Sequence, residues 1–336
     1  MVAVILGVVG AIYCLLSAVA FGAMAVFGKL AYDEGVTVGD LLLVRFGIAA
    51  LVMLVIVRWR GGFAGLTRRT AVAAFAMGAF GYAAQSASYF AALNRIDASL
   101  LALLLYFYPV LVMVGAVALG REHWSAQRAG ALSLALGGMA LVLTGSITGR
   151  FDWLGAALGL TSALVYTVYI LTGDRLVAGT PPLPLTALVC CGAATTYAVA
   201  TAVRGGPTSL DSGFAAWGWL LALSLVSTVA AILLFFAGLA RVGPSVAAIL
   251  SIIEALVTIS LAALVFGETL SPRQLVGGAL VLLAVLLVQL PGRRPTTPPL
   301  PGRVPVEQVP RVATSHVGGT SDEYTVFREC GSKPGD

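Results

Sequence analysis

Ten apolar runs of about twenty residues fill most of this chain, and no other feature limits its fold so tightly. They lie at about Val8 to Leu30, Leu41 to Val57, Ala71 to Leu93, Ser99 to Leu119, Ala129 to Thr144, Trp153 to Leu171, Leu185 to Val203, Ala216 to Leu239, Val246 to Phe266, and Leu275 to Leu290. As a helix, each is long enough to cross a hydrocarbon layer roughly 30 Å thick. Strands of a membrane barrel would be shorter and would alternate with period two, which these runs do not. The composition agrees: 59% of residues are hydrophobic and 10% charged, with a mean hydropathy of +0.97. The sequence reads as an integral membrane protein. The first run has no basic segment before it and stays apolar beyond the length of a signal peptide, so it is expected to be retained.

Charge and aromatic placement orient the helices. With the N-terminus in the cytoplasm, fourteen Lys and Arg fall on the inner side against five on the outer (Lys29, Arg95, Arg150, Arg204 and Arg273), and Arg45 is inside a helix. That bias predicts both termini inside. The five tryptophans, Trp59, Trp124, Trp153, Trp217 and Trp219, all fall at helix ends, where amphipathic rings favour the headgroup level.

Sliding the chain on itself by 146 residues superposes Phe90, Arg95, Ser99, Glu122 and Ser125 on Phe236, Arg241, Ser245, Glu268 and Ser271. Matched Ala, Gly and Leu carry little weight in this composition, but matched Arg and Glu at one offset indicate a duplication. Five helices per half is an odd number, so the second half enters the membrane upside down. The expected fold is all-α, ten transmembrane helices as two inverted five-helix repeats, an arrangement suited to alternating access. The halves are read as 1–147 and 148–291. From Pro291 the composition turns to PGRRPTTPPLPGRVP and then to polar residues, so 292–336 is expected to be a disordered cytoplasmic tail rich in Pro and Arg.

At this point the sequence resembles the drug/metabolite transporter superfamily, specifically the EamA-type ten-helix exporters. The resemblance rests on FAALNRIDASLLALLLYFYPVLVMVGAVALGREHWSAQRAG and FAGLARVGPSVAAILSIIEALVTISLAALVFGETLSPRQLVGG, with Lys29 and Arg45 matching the first-half pattern. It covers about Ala11 to Leu290. Two departures stand out: Gly120, Arg121 and Glu122 where Gly-Glu is usual, and Ala255 after Glu254 where proline is common. The second is expected to remove a kink from helix 9. The resemblance implies export of a small molecule but not which one, since the family spans amino acids, purines, drugs, sugars and other metabolites.

Glu254 is the residue that most needs an explanation. It lies eight residues into its run, roughly 12 Å deep at 1.5 Å per residue, where an ionisable group facing lipid is costly and should instead face the bundle interior or a wet cavity. There it could exchange a proton during a cycle; the alternative is a protonated carboxyl that only bonds a neighbouring helix. Ser251, Glu254 and Thr258 form one polar stripe on helix 9. Similar stripes are Tyr82, Gln85, Ser86 and Tyr89 in helix 3, Ser162, Tyr166 and Tyr169 in helix 6, and Ser224, Ser227 and Thr228 in helix 8. Together they could line one cavity, and the repeat offset makes Tyr108 the counterpart of Glu254. The candidate pathway is Glu254, Gln85, Tyr108, Ser251, Thr258, Tyr82, Arg45 and Tyr166. Arg45 is expected either to snorkel or to pair with an acidic substrate group, Asp40 or Glu34. Lys29 reads as a snorkelling anchor, with a binding role as the alternative, and Glu122 and Glu268 as local caps or pairs, with a gating role as the alternative. The small residues of GALSLALGGMA and GGALVLLA let backbones approach closely, so helices 5 and 10 read as packing or dimer-facing elements, and a homodimer is among the expected partners.

Several function classes are disfavoured. No P-loop is present, so ATP-driven pumping by this chain alone is not expected. Cys14, Cys190, Cys191 and Cys330 have neither metal-ligand spacing nor a disulfide framework, and His123 and His316 fall in a loop and in the tail. No catalytic centre, metal, cofactor or nucleic-acid partner is expected. The sequence reads as a secondary transporter exporting a small metabolite, amino acid or drug, with proton exchange through Glu254 as one form of coupling. An uncoupled facilitator or an importer fits the same residues, since sequence does not set direction. A membrane enzyme or signalling scaffold would need a clustered His, Asp or Cys site or a structured extramembrane domain, neither of which is visible. Two lysines against eighteen arginines suggest a GC-rich bacterial genome and hence a bacterial plasma membrane.

Overall fold

The computed structural model describes residues 2–121, 123–146, 152–176, 181–209, 211 and 213–289. Glu122, His316, Cys330 and the Pro/Arg-rich tail lie outside them. In chain order the helices are α1 (Gly7–Asp33), α2 (Val38–Trp59), α3 (Arg68–Ala76, a π-helical turn Met77–Tyr82, then Ala83–Leu93), α4 (Ala98–Ala118), α5 (Ala126–Thr144), α6 (Trp153–Gly173), α7 (Pro182–Val203), α8 (Phe214–Val242), α9 (Val246–Phe266) and α10 (Pro272–Gln289). All except α3 are long and apolar enough to cross a membrane by composition alone. In α3, Gly78, Gly81, Tyr82, Gln85 and Ser86 dilute the apolar run, yet the helix still connects the far ends of α2 and α4. This is a multi-pass integral membrane protein.

The packing has a pseudo-twofold pattern. α5 packs on α10 and α2 on α7, each an element against its own repeat partner. α1 packs on the second half of α8 and on α9, while α6 packs on the second half of α3 and on α4, so the two sets exchange when the repeats are exchanged. Small residues set these crossings. A Cβ placed on Gly277 would sit 2.5 Å from the Gly138 carbonyl oxygen and 2.8 Å from the Val142 nitrogen, so α5 and α10 touch backbone to backbone. Gly22 in α1 similarly faces Val257 and the Glu254 carbonyl of α9, and so draws α1 against the turn that carries the Glu254 carboxylate.

Irregular helix geometry recurs at matched places. α3 carries its π turn at Met77–Tyr82 and α8 carries one at Leu225–Ala230. A π turn leaves carbonyls without their usual partners, and in a membrane interior neighbouring side chains must supply them. Thr196 donates to the Ala79 carbonyl at 2.7 Å, Tyr197 to that of Ala83 at 2.6 Å, and Ser17 to that of Ala231 at 2.8 Å. α4 is interrupted at Tyr106 and Phe107, between Ala98–Leu105 and Tyr108–Ala118. α9 is interrupted at Ile252, between Pro244–Ser251 and Ile253–Phe266.

Although no proline follows Glu254, α9 is not a continuous α-helix. Ile252 N–H bonds the Ile249 carbonyl at 3.2 Å and Ala255 N–H bonds that of Ile252 at 3.2 Å, a local tightening to three-residue spacing. The Ser251 carbonyl accepts the Tyr106 hydroxyl at 2.6 Å from the facing break in α4. Tertiary bonding holds the discontinuity that proline holds elsewhere. Both interrupted helices end on a left-handed glycine, Gly120 at φ 67° and Gly267 at φ 67°, a conformation that favours glycine.

Candidate functional site: a central cavity between the repeats

The breaks in α4 and α9 face each other, and around them lies a cavity of two lobes, about 110 and 300 Å³. Phe21, Tyr82, Tyr108, Tyr166 and Glu254 line both lobes, so Glu254 stands at their junction. The smaller lobe continues past Gln85, Ser86 and Tyr106 to Arg45, Tyr89, Phe90 and Leu105. The larger continues past Ser251 and Cys190 to Phe235 and Phe236 and to Leu185 and Thr186, in the first turn of α7, so it reaches toward the face on which α1 begins.

Glu254 is half-buried against this space. Its neighbour is the Tyr106 hydroxyl. The ion pairs within 4.0 Å among the described residues are Lys29 with Asp97, Lys29 with Glu268 and Arg95 with Asp152, so no cation neutralises Glu254. A carboxyl in such a place is balanced by a proton, by water in the cavity or by a solute. The wall opposite is aromatic. Tyr108 meets Tyr166 edge-on with ring centroids 4.7 Å apart, Tyr166 stacks on Tyr169 at 6.1 Å, and Tyr82 lies 5.9 Å from Tyr169.

Arg45 is 2% exposed, so it does not snorkel. Its Nε donates to the Thr228 hydroxyl at 2.9 Å, and its Cζ lies 5.0 Å from the Phe46 ring and 5.2 Å from the Phe90 ring. Asp40 is engaged elsewhere: its Oδ2 accepts from Thr208 N at 2.9 Å, Ser209 N at 2.8 Å and Ser209 Oγ at 2.6 Å.

At the opposite face Lys29, Asp97 and Glu268 line a separate pocket together with Tyr32, Leu93 and Phe266. Beyond Phe90 and Leu105, Glu268 at the end of α9 accepts from Lys29 Nζ at 2.7 Å, Ala98 N at 3.0 Å, Ser99 N at 2.9 Å and Ser99 Oγ at 2.8 Å. It thus caps the N-terminus of α4 rather than anything local, and Lys29 is an ion-pair partner instead of a snorkelling anchor. Burial alone would push the Glu268 carboxyl up, but the Lys29 ammonium and the Ser99 and Ala98 donors outweigh it and hold it below the usual carboxylate range. Asp97 beside them is pushed up by burial and by the Glu268 charge, against the pull of Lys29.

Of the pathway residues expected from sequence, Glu254, Tyr82, Tyr108 and Tyr166 line both lobes, Gln85 and Arg45 the smaller one, and Ser251 the larger. Gln85 is tied to α6 by its Nε2 bond to Ser162 Oγ at 3.1 Å. Thr258 is not in the wall: its hydroxyl lies 3.0 Å from the Gly22 carbonyl and bonds α9 to α1. Ser162, Ser224, Ser227 and Thr228 are likewise buried between helices rather than in the wall. Sequence reasoning passed over Phe21, Tyr106 and Cys190. Tyr106 carried a usable signal, because it maps onto Ile252 at the repeat offset and opens the aromatic cluster before Pro109.

Discontinuous helices meeting at a central cavity between inverted repeats define the class of multi-pass membrane transporters. Residues 8–144 and 153–290 each match the EamA-like transporter family, and the chain belongs to that family. It is 32% identical over 203 residues to an uncharacterized transporter of Archaeoglobus fulgidus, covering 60% of this chain and 70% of that one. It is 26% identical over 277 residues to the uncharacterized transporter YcbK of Bacillus subtilis, covering 80% and 88%. A solved crystal structure superposes with a TM-score of 0.60 at 18% identity, covering 83% of this chain and 95% of that one, a likeness of fold alone. The chain is a transporter, not an enzyme.

Proposed function

We propose that this chain is a secondary transporter that exports a small polar solute by alternating access, with Glu254 exchanging a proton or a solute contact during the cycle. The observation that carries this reading is the position of Glu254, without a cationic partner among the described residues, at the junction of two lobes and beside the facing breaks of α4 and α9. Helix breaks are places where two half-helices can reorient while each keeps its own hydrogen bonds. On the charge bias, both termini lie in the cytoplasm of a bacterium, the larger lobe faces inward, and the Lys29–Glu268 cluster closes the outer side. Tyr82, Tyr108 and Tyr166 then line the route of the solute, and Gln85 and Ser251 offer it polar groups.

The test is a toxicity and export panel of amino acids, purines and drugs in cells carrying equal membrane amounts of wild type and Glu254→Gln. Export by wild type alone, with a flux that depends on the pH gradient, supports proton exchange at Glu254. Equal export by both variants makes the carboxyl a structural group. Flux that needs Glu254 but ignores the gradient indicates an uncoupled facilitator.

A further inference from the structure

We infer that Arg45 is the recognition group for a carboxylate on the transported solute, so that the substrate class is organic acids or other solutes bearing a free carboxylate. This inference rests on the transport reading above. Arg45 is nearly fully buried, yet no carboxylate oxygen among the described residues lies within 4.0 Å of it. A guanidinium left this way is costly unless something neutralises it. What surrounds it orients the group without cancelling its charge: Thr228 takes Nε, Phe46 and Phe90 lie near the guanidinium carbon, and the Tyr82 hydroxyl sits beside it. Thr228 is itself fixed, because its hydroxyl donates to the Leu223 carbonyl at 3.0 Å across the π turn of α8 and so offers Arg45 only a lone pair. The edge that remains belongs to the smaller lobe, which Arg45 lines together with Glu254.

The ligand chemistry follows from the count of charges. α7, the repeat partner of α2, holds no Lys or Arg, so it contributes no matching cation. One planar guanidinium fits one planar carboxylate through two parallel bonds, whereas a doubly charged phosphate would lack a second positive partner. The small volume of this lobe suits the carboxylate alone, and the body of the solute then lies along Tyr82, Tyr108 and Tyr166 toward the larger lobe.

The experiment uses purified full-length protein in detergent and matched pairs of acids and their primary amides. The pairs are butyrate with butyramide, phenylacetate with phenylacetamide, and 4-hydroxyphenylacetate with its amide, with binding read from thermal shift and intrinsic fluorescence. The expected result is that an acid binds about 10- to 100-fold more tightly than its amide, the range set by losing a charge-assisted hydrogen bond. Arg45→Gln should bring the two to equal affinity and Arg45→Lys should keep part of the preference. A wild-type protein that binds no acid, or binds acid and amide alike, overturns the proposal, as does a preference that survives in Arg45→Gln. The wild-type ratio decides the matter even where Arg45→Gln fails to fold. Flux of the same pairs into proteoliposomes separates the two readings. Discrimination without flux leaves the site and removes transport of these acids, while flux of the amides without discrimination leaves transport and removes the site.

Discussion

On the transport cycle proposed above, replacing Glu268 by Gln should loosen the closure at the end of the molecule away from the larger lobe. The carboxylate accepts from Lys29, from two backbone amides at the start of α4 and from the Ser99 hydroxyl, at 2.7 to 3.0 Å. Its side chain is 7% exposed and that of Lys29 19%, so solvent screens the pair little. Glutamine keeps the shape but removes the charge, leaves one acceptor oxygen and turns an NH2 group toward Lys29 and two backbone amides, which can only donate, leaving the Ser99 hydroxyl as its one possible acceptor. A charge-assisted hydrogen bond contributes about 1.5–3 kcal/mol, and removing one partner of a buried pair costs about 3–5 kcal/mol. With some bonds retained by the amide oxygen, a loss of about 3 kcal/mol is expected, which corresponds to roughly a 100-fold shift away from the latched arrangement. The readout is a cysteine introduced at Met24, which lines the smaller lobe behind the latch, in a background lacking Cys14, Cys190, Cys191 and Cys330. A membrane-impermeant thiol reagent applied from the Glu268 face should label it many-fold faster in Glu268→Gln. A labelling rate unchanged within twofold would refute the latch, and a lower thermal midpoint with unchanged labelling would mean that Glu268 only holds the fold.

The same carboxyl predicts a pH dependence. Its pKa is lowered in the latched form, so its contribution is complete above the ordinary carboxylate pKa and is lost as pH falls through the lowered value; the thermal-midpoint difference between wild type and Glu268→Gln should be full at pH 7 and shrink toward zero in strong acid. Gly277→Leu should lower the thermal midpoint by an amount equivalent to about 2 kcal/mol of overpacking, because even a Cβ there meets the Gly138 backbone; an unchanged midpoint would show that α5 and α10 separate readily. Tyr106→Phe removes the bond to the Ser251 carbonyl and should cost about 1 kcal/mol of stability, and a neutral result in a melting experiment would mean that another group satisfies that carbonyl.

What could be read in the sequence divides along a physical line. Helix positions follow from the length of apolar runs, and the two-half architecture from Arg95, Glu122 and Ser125 matching Arg241, Glu268 and Ser271, because both are local or periodic signals. Glu254 also stood out, since a carboxylate in an apolar run violates a strong rule. Contacts between distant helices were not legible. Nothing near Lys29 in the chain shows that its partner is Glu268, and nothing near Arg45 shows that Thr228 holds it. Polarity alone also misassigned Thr258, since a hydroxyl that lines a cavity and one that bonds the next helix look alike in sequence. The break in α9 was missed for a related reason: the proline rule is local, while the bond from Tyr106 that holds this break comes from another helix.

The matched π turns of α3 and α8 bear on the history of the gene. An irregular turn at Met77–Tyr82 in one half and at Leu225–Ala230 in the other is most simply inherited from a five-helix ancestor that already carried it. Two copies of that ancestor, inserted head to tail in opposite senses, would have built a cavity in which every residue occurred twice. Fusion into one chain removed that constraint. It allowed Glu254 to have a tyrosine at the equivalent position, and Arg45 to have no cation in α7 as its counterpart. A cavity with one acid and one base at inequivalent places can tell the two ends of a solute apart, which a symmetric pair could not do.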